Sequence, residues 1–505
     1  MMLRYRKTFE THRDKIALLD VTGNLAEPRT FSYRDLDDLA GRAARRLQSA
    51  GADTGERIAV HLSNSAECAI LFLACLHGGF TIVPLHDGLP YSTARKLIDT
   101  ISPAVLIHSQ DDEKWTEEDS TLNAVSAESL FCNLDSQPMA PFAGNLDDQL
   151  SVTFTSATTG EAKGVRHTAG NLIGNAEMFN DCMGFGPDTR MLHVMPMSYS
   201  AGLLNALLMP LLTGGIVVMA PQFNLTNAFG LWKTMVEHDI NTAWLAPSAL
   251  AFLLRFGRED WIRDWCRAAT RRFCIGFAPL SKTLKTQFQE SFGIELYESY
   301  GLTETLILSS NSPNDPSPAG SVGKPLDGVA IEIRDTDGGP CAPSEEGEIW
   351  ACSPCFYSGY LAVESDENDN APSREGWMGT GDIGYLDRGG NLFISGRIKD
   401  LIICGGTNIS AQAIEELLMS HPAIRETAVV GLPHDFWGEE PAAFLALEEG
   451  YTLEDIKQIL LELCKERLLP VEIPKRFIEI DQLPLSVSGK VNKRELRVKF
   501  MDGLL

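Results

Sequence analysis

The sequence predicts an α/β protein: a large N-terminal part of parallel sheets and helices with a small antiparallel β subdomain, then a small α+β unit. Three observations carry this. From residue 32 to about residue 300, short apolar runs alternate with segments of helical spacing, the pattern of strands joined by helical crossovers. From residue 320 the pattern shifts to short alternating strands separated by turn residues, which predicts an antiparallel region. Beyond residue 397 strands and helices resume as a separate set, so the expected divisions are 1–396 and 397–505.

The elements follow in order. Ser32 to Asp35 has the capping-box pattern, and Leu36, Leu39, Ala43, Ala44 and Leu47 recur at helical spacing until Gly51. Strands are expected over 57–62, 81–85 and 104–108, with a helix over 67–76 between the first two. The rhythm continues in strands over 215–219, 242–245 and 272–275, and the antiparallel set begins with 329–334 and 347–350. In the last unit a helix over 412–419, strands over 426–430 and 443–447, and a helix over 453–467 are expected. The acidic run at 366–370 reads as a solvated connection.

The 505 residues are enough for two to four packed units at about 150 residues each. With 44% hydrophobic and 22% charged residues the chain is globular rather than disordered or fibrous. Its 68 acidic and 43 basic side chains give a net charge of −25, opposite to the footprint of a nucleic-acid binder. An anionic substrate must therefore be held by local donors. Eleven scattered cysteines argue against a disulfide framework, and Cys352 with Cys355, though spaced like a thiol pair, has no second pair to complete a zinc site. The first residues lack the apolar core of a signal peptide, and the longest apolar run, at 66–76, is short of the roughly 18 residues that span a bilayer. A cytoplasmic location and no membrane span are the expectation.

The densest chemical signal is TFTSATTGEAKG at 153–164, five hydroxyl residues, two glycines and a lysine at the end of an expected strand. Hydroxyls and backbone N–H groups on such a turn can wrap phosphate oxygens, and a lysine adds a mobile charge. It is not a Walker A loop, because Ala162 precedes Lys163 and Gly164 follows it. YESYGLTE at 297–304, GWMGTGD at 376–382, SGRIKD at 395–400 and LSVSGK at 485–490 follow in that order. Together these five motifs, spread over nearly the whole chain, resemble the ANL superfamily of adenylate-forming enzymes, which includes acyl- and aryl-CoA synthetases, peptide-synthetase adenylation domains and beetle luciferases.

The resemblance implies roles. Thr155, Ser156, Thr158, Thr159, Gly160 and Lys163 fall on the loop that holds the β- and γ-phosphates of ATP. This copy has Ala157 where glycine is usual and Ala162 where proline is usual. Tyr300 matches the aromatic residue stacked on adenine, with Ser299 and the turn from Gly276 to Leu280, Ala278 included, around the base. Thr303 and Glu304 match the pair at the α-phosphate and the magnesium ion; a hard cation suits a carboxylate shared with substrate phosphates. Asp382 matches the acceptor of both ribose hydroxyls, and Arg397 adds a donor to that sugar. Lys490 matches the catalytic lysine of adenylation, where two anions must meet and a cation between them stabilises the developing charge. Lys399 matches the hinge about which a mobile C-terminal domain swings between two catalytic poses. Gly405 and Gly406 match the residues past which pantetheine enters, while Ile403 stands where many acyl-CoA synthetases carry lysine.

For the acid, Tyr199 takes the aromatic or histidine position lining the acyl channel, and Ala201 stands where amino-acid-activating domains place an aspartate. Phe277 replaces a small residue ahead of Ala278 and Pro279, so its ring shortens the pocket. The expected substrate is an aromatic or a short to medium aliphatic carboxylic acid, with ATP and Mg2+ as cofactors. The expected acyl acceptor is CoA, the alternative being the phosphopantetheine of a separate acyl carrier protein. A degenerate member that binds nucleotide without turnover is the third reading, motivated by Ala157, Ala162 and Ile403.

Overall fold

The computed structural model describes residues 2–23, 27–110, 112, 114–117, 122–132, 138–139, 145–154, 163–224, 226–361, 376–404, 407–434, 436–485 and 491–504. The first predicted helix forms as Tyr33–Ser49. The Ser32 side chain accepts the Asp35 N–H, and the Asp35 carboxylate accepts the Ser32 N–H in return. Such a cap contributes about 1 kcal/mol, less than the burial of Leu36 and Leu47 at about 2 kcal/mol each. Packing therefore dominates this helix. Gly51, at φ +102°, ends the run.

Two large sheets organise the chain. One has nine described strands, six of which run parallel: Ile16–Asp20, Ile216–Met219, Arg190–His193, Thr242–Leu245, Arg272–Ile275 and Glu295–Leu302, in that spatial order. Arg29–Ser32 closes one edge antiparallel; Leu306–Ser310 and Lys324–Pro325 close the other. The second sheet has seven described strands. Gln149–Phe154, Thr81–Leu85, Arg57–His61, Val105–His108 and Ala124–Ser126 run parallel, with Gly164–Thr168 and then Tyr360–Leu361 added antiparallel.

Alternation along the strands sorts their side chains into layers. Ile58 and Val60 from one sheet, and Val217 and Met219 from the other, join one core with the helices Tyr33–Ser49, Ala66–Gly78 and Ala169–Met183. Ala66–Gly78 is buried on every side, as a helix at the centre must be. The opposite face of the nine-stranded sheet, with Val218, Ala243 and Phe273, is covered by helices that include Pro247–Phe256 and Lys282–Phe292. That of the seven-stranded sheet, with Ala59, Val83 and Leu106, is covered by Tyr91–Ile101. The result is helix, sheet, helix, sheet, helix.

The predicted antiparallel region is a four-stranded sheet of Ala330–Arg334, Gly347–Cys352, Trp377–Leu386 and Leu392–Arg397. After the short 3-10 turn Ile398–Asp400, a five-stranded sheet begins at Leu401–Cys404. Helices Ala411–Met419 and Leu453–Arg467 pack on one of its faces and Lys493–Met501 on the other. All eleven cysteines are free thiols, Cys352 and Cys355 among them. No helix among the described residues is long and apolar enough to cross a membrane.

Candidate functional site

Parallel α/β sheets expose their ligand-binding crevices at the carboxyl ends of their strands. Three of the predicted segments sit there on the nine-stranded sheet. Residues 195–201 follow Arg190–His193, Gly276 follows Arg272–Ile275, and Ser299 with Tyr300 lies in the second half of Glu295–Leu302. Gly276 sits close beneath its neighbours: a Cβ there would stand 3.2 Å from the Trp244 indole nitrogen and 3.5 Å from Ser299 Oγ. The Ser299 hydroxyl donates to the Ile275 carbonyl at 3.4 Å.

Motifs far apart in sequence meet at Asp382. This carboxylate is 3% exposed. Its Oδ2 accepts the Tyr300 hydroxyl at 2.7 Å, and its Oδ1 accepts Arg397 Nε at 2.8 Å. The Arg397 link is reinforced by the sheet, since Asp382 and Arg397 are register partners on adjacent strands. Burial works against the Arg397 charge, but Asp382, Tyr300 and Asp400 together more than offset it and hold the guanidinium pKa above its ordinary value. Burial, with Asp382 beside it, pushes the Tyr300 phenol well above its usual range, so it remains a donor.

A second cluster forms around Thr303 and Glu304. The Glu304 Oε1 accepts the Tyr360 hydroxyl at 2.9 Å, and the Glu304 carbonyl accepts the Tyr357 N–H at 2.8 Å. Lys163 Nζ lies 5.0 Å from the centre of the Tyr360 ring. The Thr303 carbonyl is held from behind by His167, whose Nε2–H donates to it at 2.7 Å. His167 is fully buried, and burial drives its pKa down to about 4, so the ring is neutral. Among the described residues, no group of three or more His, Cys, Asp or Glu side chains is placed to hold a metal ion. A divalent cation at Glu304 would therefore need substrate oxygens to complete its shell, the arrangement that suits magnesium.

The expected acid pocket is partly apolar. Tyr199 is half-buried, its phenol pushed up to about 12 by burial, and its ring lies 6.1 Å from that of His86. His86 Nε2 is 3.2 Å from the side-chain amide of Gln222. Ala201 is buried, Phe277 half-buried and Ala278 exposed. Phe277 adopts φ +74°, a left-handed backbone that costs a non-glycine residue on the order of 1–2 kcal/mol. Its ring packs on the central core, 6.5 Å from Trp244.

The remaining predicted residues are placed less fully. Lys399 is exposed on the turn between the four-stranded and five-stranded sheets. Thr155, Ser156, Ala157, Thr158, Thr159, Gly160 and Ala162 lie outside the described residues, as do Gly405, Gly406 and Lys490. The flanks of two of these segments are defined. Cys404 pairs with Thr407, and Leu485 pairs with Val491. Sequence reasoning missed Tyr360 and His167. Tyr360 after Gly359 and one of ten histidines carry no spacing signal, and only contacts between segments distant in sequence bring them to Glu304 and Thr303.

A family model described as AMP-binding enzyme matches residues 5–361, and one described as AMP-binding enzyme C-terminal domain matches residues 413–490. The chain is 30% identical to a 2-succinylbenzoate–CoA ligase of Bacillus pumilus, over 94% of this chain and 95% of that protein. It is equally 30% identical to a sulfoacetate–CoA ligase of Cupriavidus necator, over 90% of each. Among solved structures it resembles o-succinylbenzoate CoA synthetase from Bacillus subtilis, at 28% identity. With the acyl-adenylate intermediate the TM-score is 0.85, covering 98% of this chain and 97% of that one; with ATP and magnesium it is 0.84, covering 98% of each. On the strength of both matched models and this full-length similarity, the chain belongs to the AMP-binding enzyme family, the adenylate-forming group that its five ordered motifs resemble.

Proposed function

We propose that the protein is an AMP-forming acid–thiol ligase that activates an aromatic or short to medium aliphatic carboxylic acid with ATP and passes the acyl group to CoA. In the first step a carboxylate oxygen bonds to the α-phosphorus, the α–β phosphoanhydride bond breaks and pyrophosphate leaves. In the second, the CoA sulfur bonds to the acyl carbon, its proton is lost, and AMP departs. Glu304 would hold a magnesium ion together with phosphate oxygens of the substrate, and that ion, when bound, would supply neutralisation of phosphate charge.

The chain's own residues divide this work. Thr155, Ser156, Thr158, Thr159, Gly160 and Lys163 bind the outer phosphates, Thr303 meets the α-phosphate, and Asp382 with Arg397 receives the ribose. Tyr300, Ser299, Gly276 and Ala278 surround the base. Lys490 sits between the two anions of the first step. Tyr199, Ala201 and Phe277 line the acid pocket, and Gly405 with Gly406 borders the pantetheine path. Residues 1–396 form the ATP- and acid-binding part and 397–505 a lid that turns at Lys399. The observation that carries this reading is the meeting of Tyr300, Asp382 and Arg397 in one hydrogen-bonded cluster, from three of the motifs. The relatives act, by name, on succinylbenzoate and sulfoacetate, an aromatic and a short acid. Both are CoA ligases, which favours CoA over a carrier protein. The free thiols fit a cytoplasmic location.

Pyrophosphate release with ATP, Mg2+ and a panel of acids tests this, run with and without CoA. Release with benzoate or hexanoate and CoA-dependent turnover are expected. A strong preference for palmitate would overturn the acid class, adenylate that accumulates until a carrier protein is added would overturn the acceptor, and no acid-dependent release would overturn the activity.

A further inference from the structure

Tyr360 touches two residues of opposite charge. The strand Tyr360–Leu361 is bound to the strand that follows Lys163: Tyr360 pairs with Val165 and Leu361 with Gly164. Gly359 makes this possible. It adopts φ +119°, and a Cβ there would come within 2.7 Å of the Arg166 guanidinium. The backbone is further fixed by the Arg166 N–H donating to the Gly359 carbonyl at 3.0 Å and the Ser358 N–H donating to the Arg166 carbonyl at 2.8 Å.

From this anchored position the phenol works in two directions. Its hydroxyl donates to Glu304 Oε1 at 2.9 Å, and its ring face lies 5.0 Å from the Lys163 ammonium. The neighbouring Tyr357 supports both ends, with its ring centre 4.9 Å from that of Tyr360 and its N–H bonded to the Glu304 carbonyl at 2.8 Å.

We propose that Tyr360 is a positioning residue for the ATP phosphates: its hydroxyl fixes the Glu304 carboxylate for magnesium, and its ring carries Lys163 toward the same phosphates. This rests on the roles proposed above for Glu304 and Lys163. A hydrogen bond from behind orients a metal ligand before the metal arrives, and losing such a contact costs about 10-fold or more in affinity. The ring contact acts without the metal, through the attraction of an ammonium to an aromatic face.

The two contacts separate experimentally, because Tyr360→Phe removes only the hydroxyl and Tyr360→Leu removes both. Calorimetric titration of the full chain with ATP, in excess MgCl2 and in EDTA, reads them directly. Tyr360→Phe should weaken ATP binding about 10-fold in MgCl2 and leave it unchanged in EDTA. Tyr360→Leu should also weaken binding in EDTA. In a Glu304→Gln background, Tyr360→Phe should have no further effect. Wild-type affinity of Tyr360→Phe in MgCl2, or a full loss persisting in the Glu304→Gln background, overturns the proposal. Failure of the wild-type chain to bind ATP overturns the underlying reading as well, and that titration alone reports it. Thermal unfolding near that of wild type verifies that each variant is folded.

Discussion

Phe277 holds a bulky ring on a backbone that suits glycine. The left-handed φ of +74° costs about 1–2 kcal/mol, while half-burial of its ring against the core returns a similar amount, about 1–2 kcal/mol. Phe277→Gly removes both terms and adds roughly 0.5–1 kcal/mol of backbone entropy, so stability should change little. The pocket changes more. We expect a melting temperature within a few degrees of wild type and faster pyrophosphate release with longer acids; unchanged chain-length preference would remove Phe277 from the pocket. Lys490→Ala addresses the chemistry instead. Losing a cation that acts on the developing charge should lower adenylate formation by about 10²- to 10³-fold, with thioester formation from preformed adenylate nearly intact. Equal losses in both steps would refute a role confined to the first.

Elements with strong local signals were legible. The strands at 81–85, 242–245 and 272–275 and the helix at 453–467 form over the residues expected of them, because each is a compact apolar run or a clear helical period bounded by polar or turn residues. The helix Ala169–Met183 was not anticipated, although Thr168 and Asn171 cap it reciprocally. Its interior carries Gly170, Gly174 and two buried asparagines, which blur the apolar stripe. Those asparagines serve distant elements: Asn175 bonds both ways with Ile307, and Asn180 donates to the Met209 carbonyl. The nucleotide motifs were readable as strings, but Tyr360 and His167 depend on which strands become neighbours, and no local pattern encodes that. The turn Ile398–Asp400 is an element whose position suits a hinge, joining two sheets through exposed residues. Proline at Lys399 fixes φ there. Lys399→Pro should preserve acid-dependent pyrophosphate release and suppress thioester formation; normal thioester yield would dismiss the hinge.

For the whole molecule, two buried imidazoles set a pH limit. Burial depresses both His167 and His193 to about 4. Above the unfolded value of about 6.5 they are neutral in either state, and their contribution is fully present. As pH falls below about 6.5 the unfolded chain binds protons that the folded chain refuses, so stability declines until about pH 4 and then levels off for these groups. Each imidazole accounts for on the order of 3 kcal/mol. Urea midpoints measured across that range should fall steadily, and a flat profile would contradict this. The nine-stranded sheet also constrains how the chain is made. Its strand Ile16–Asp20 is synthesised well before its parallel partner Ile216–Met219, which lies about two hundred residues later. At about 5–20 residues per second this is a wait of roughly 10–40 s. During it the early hairpin with Arg29–Ser32, too small to be stable alone, exposes its apolar edge. Until Ile216–Met219 has been synthesised, that edge is an open template for wrong strand pairing.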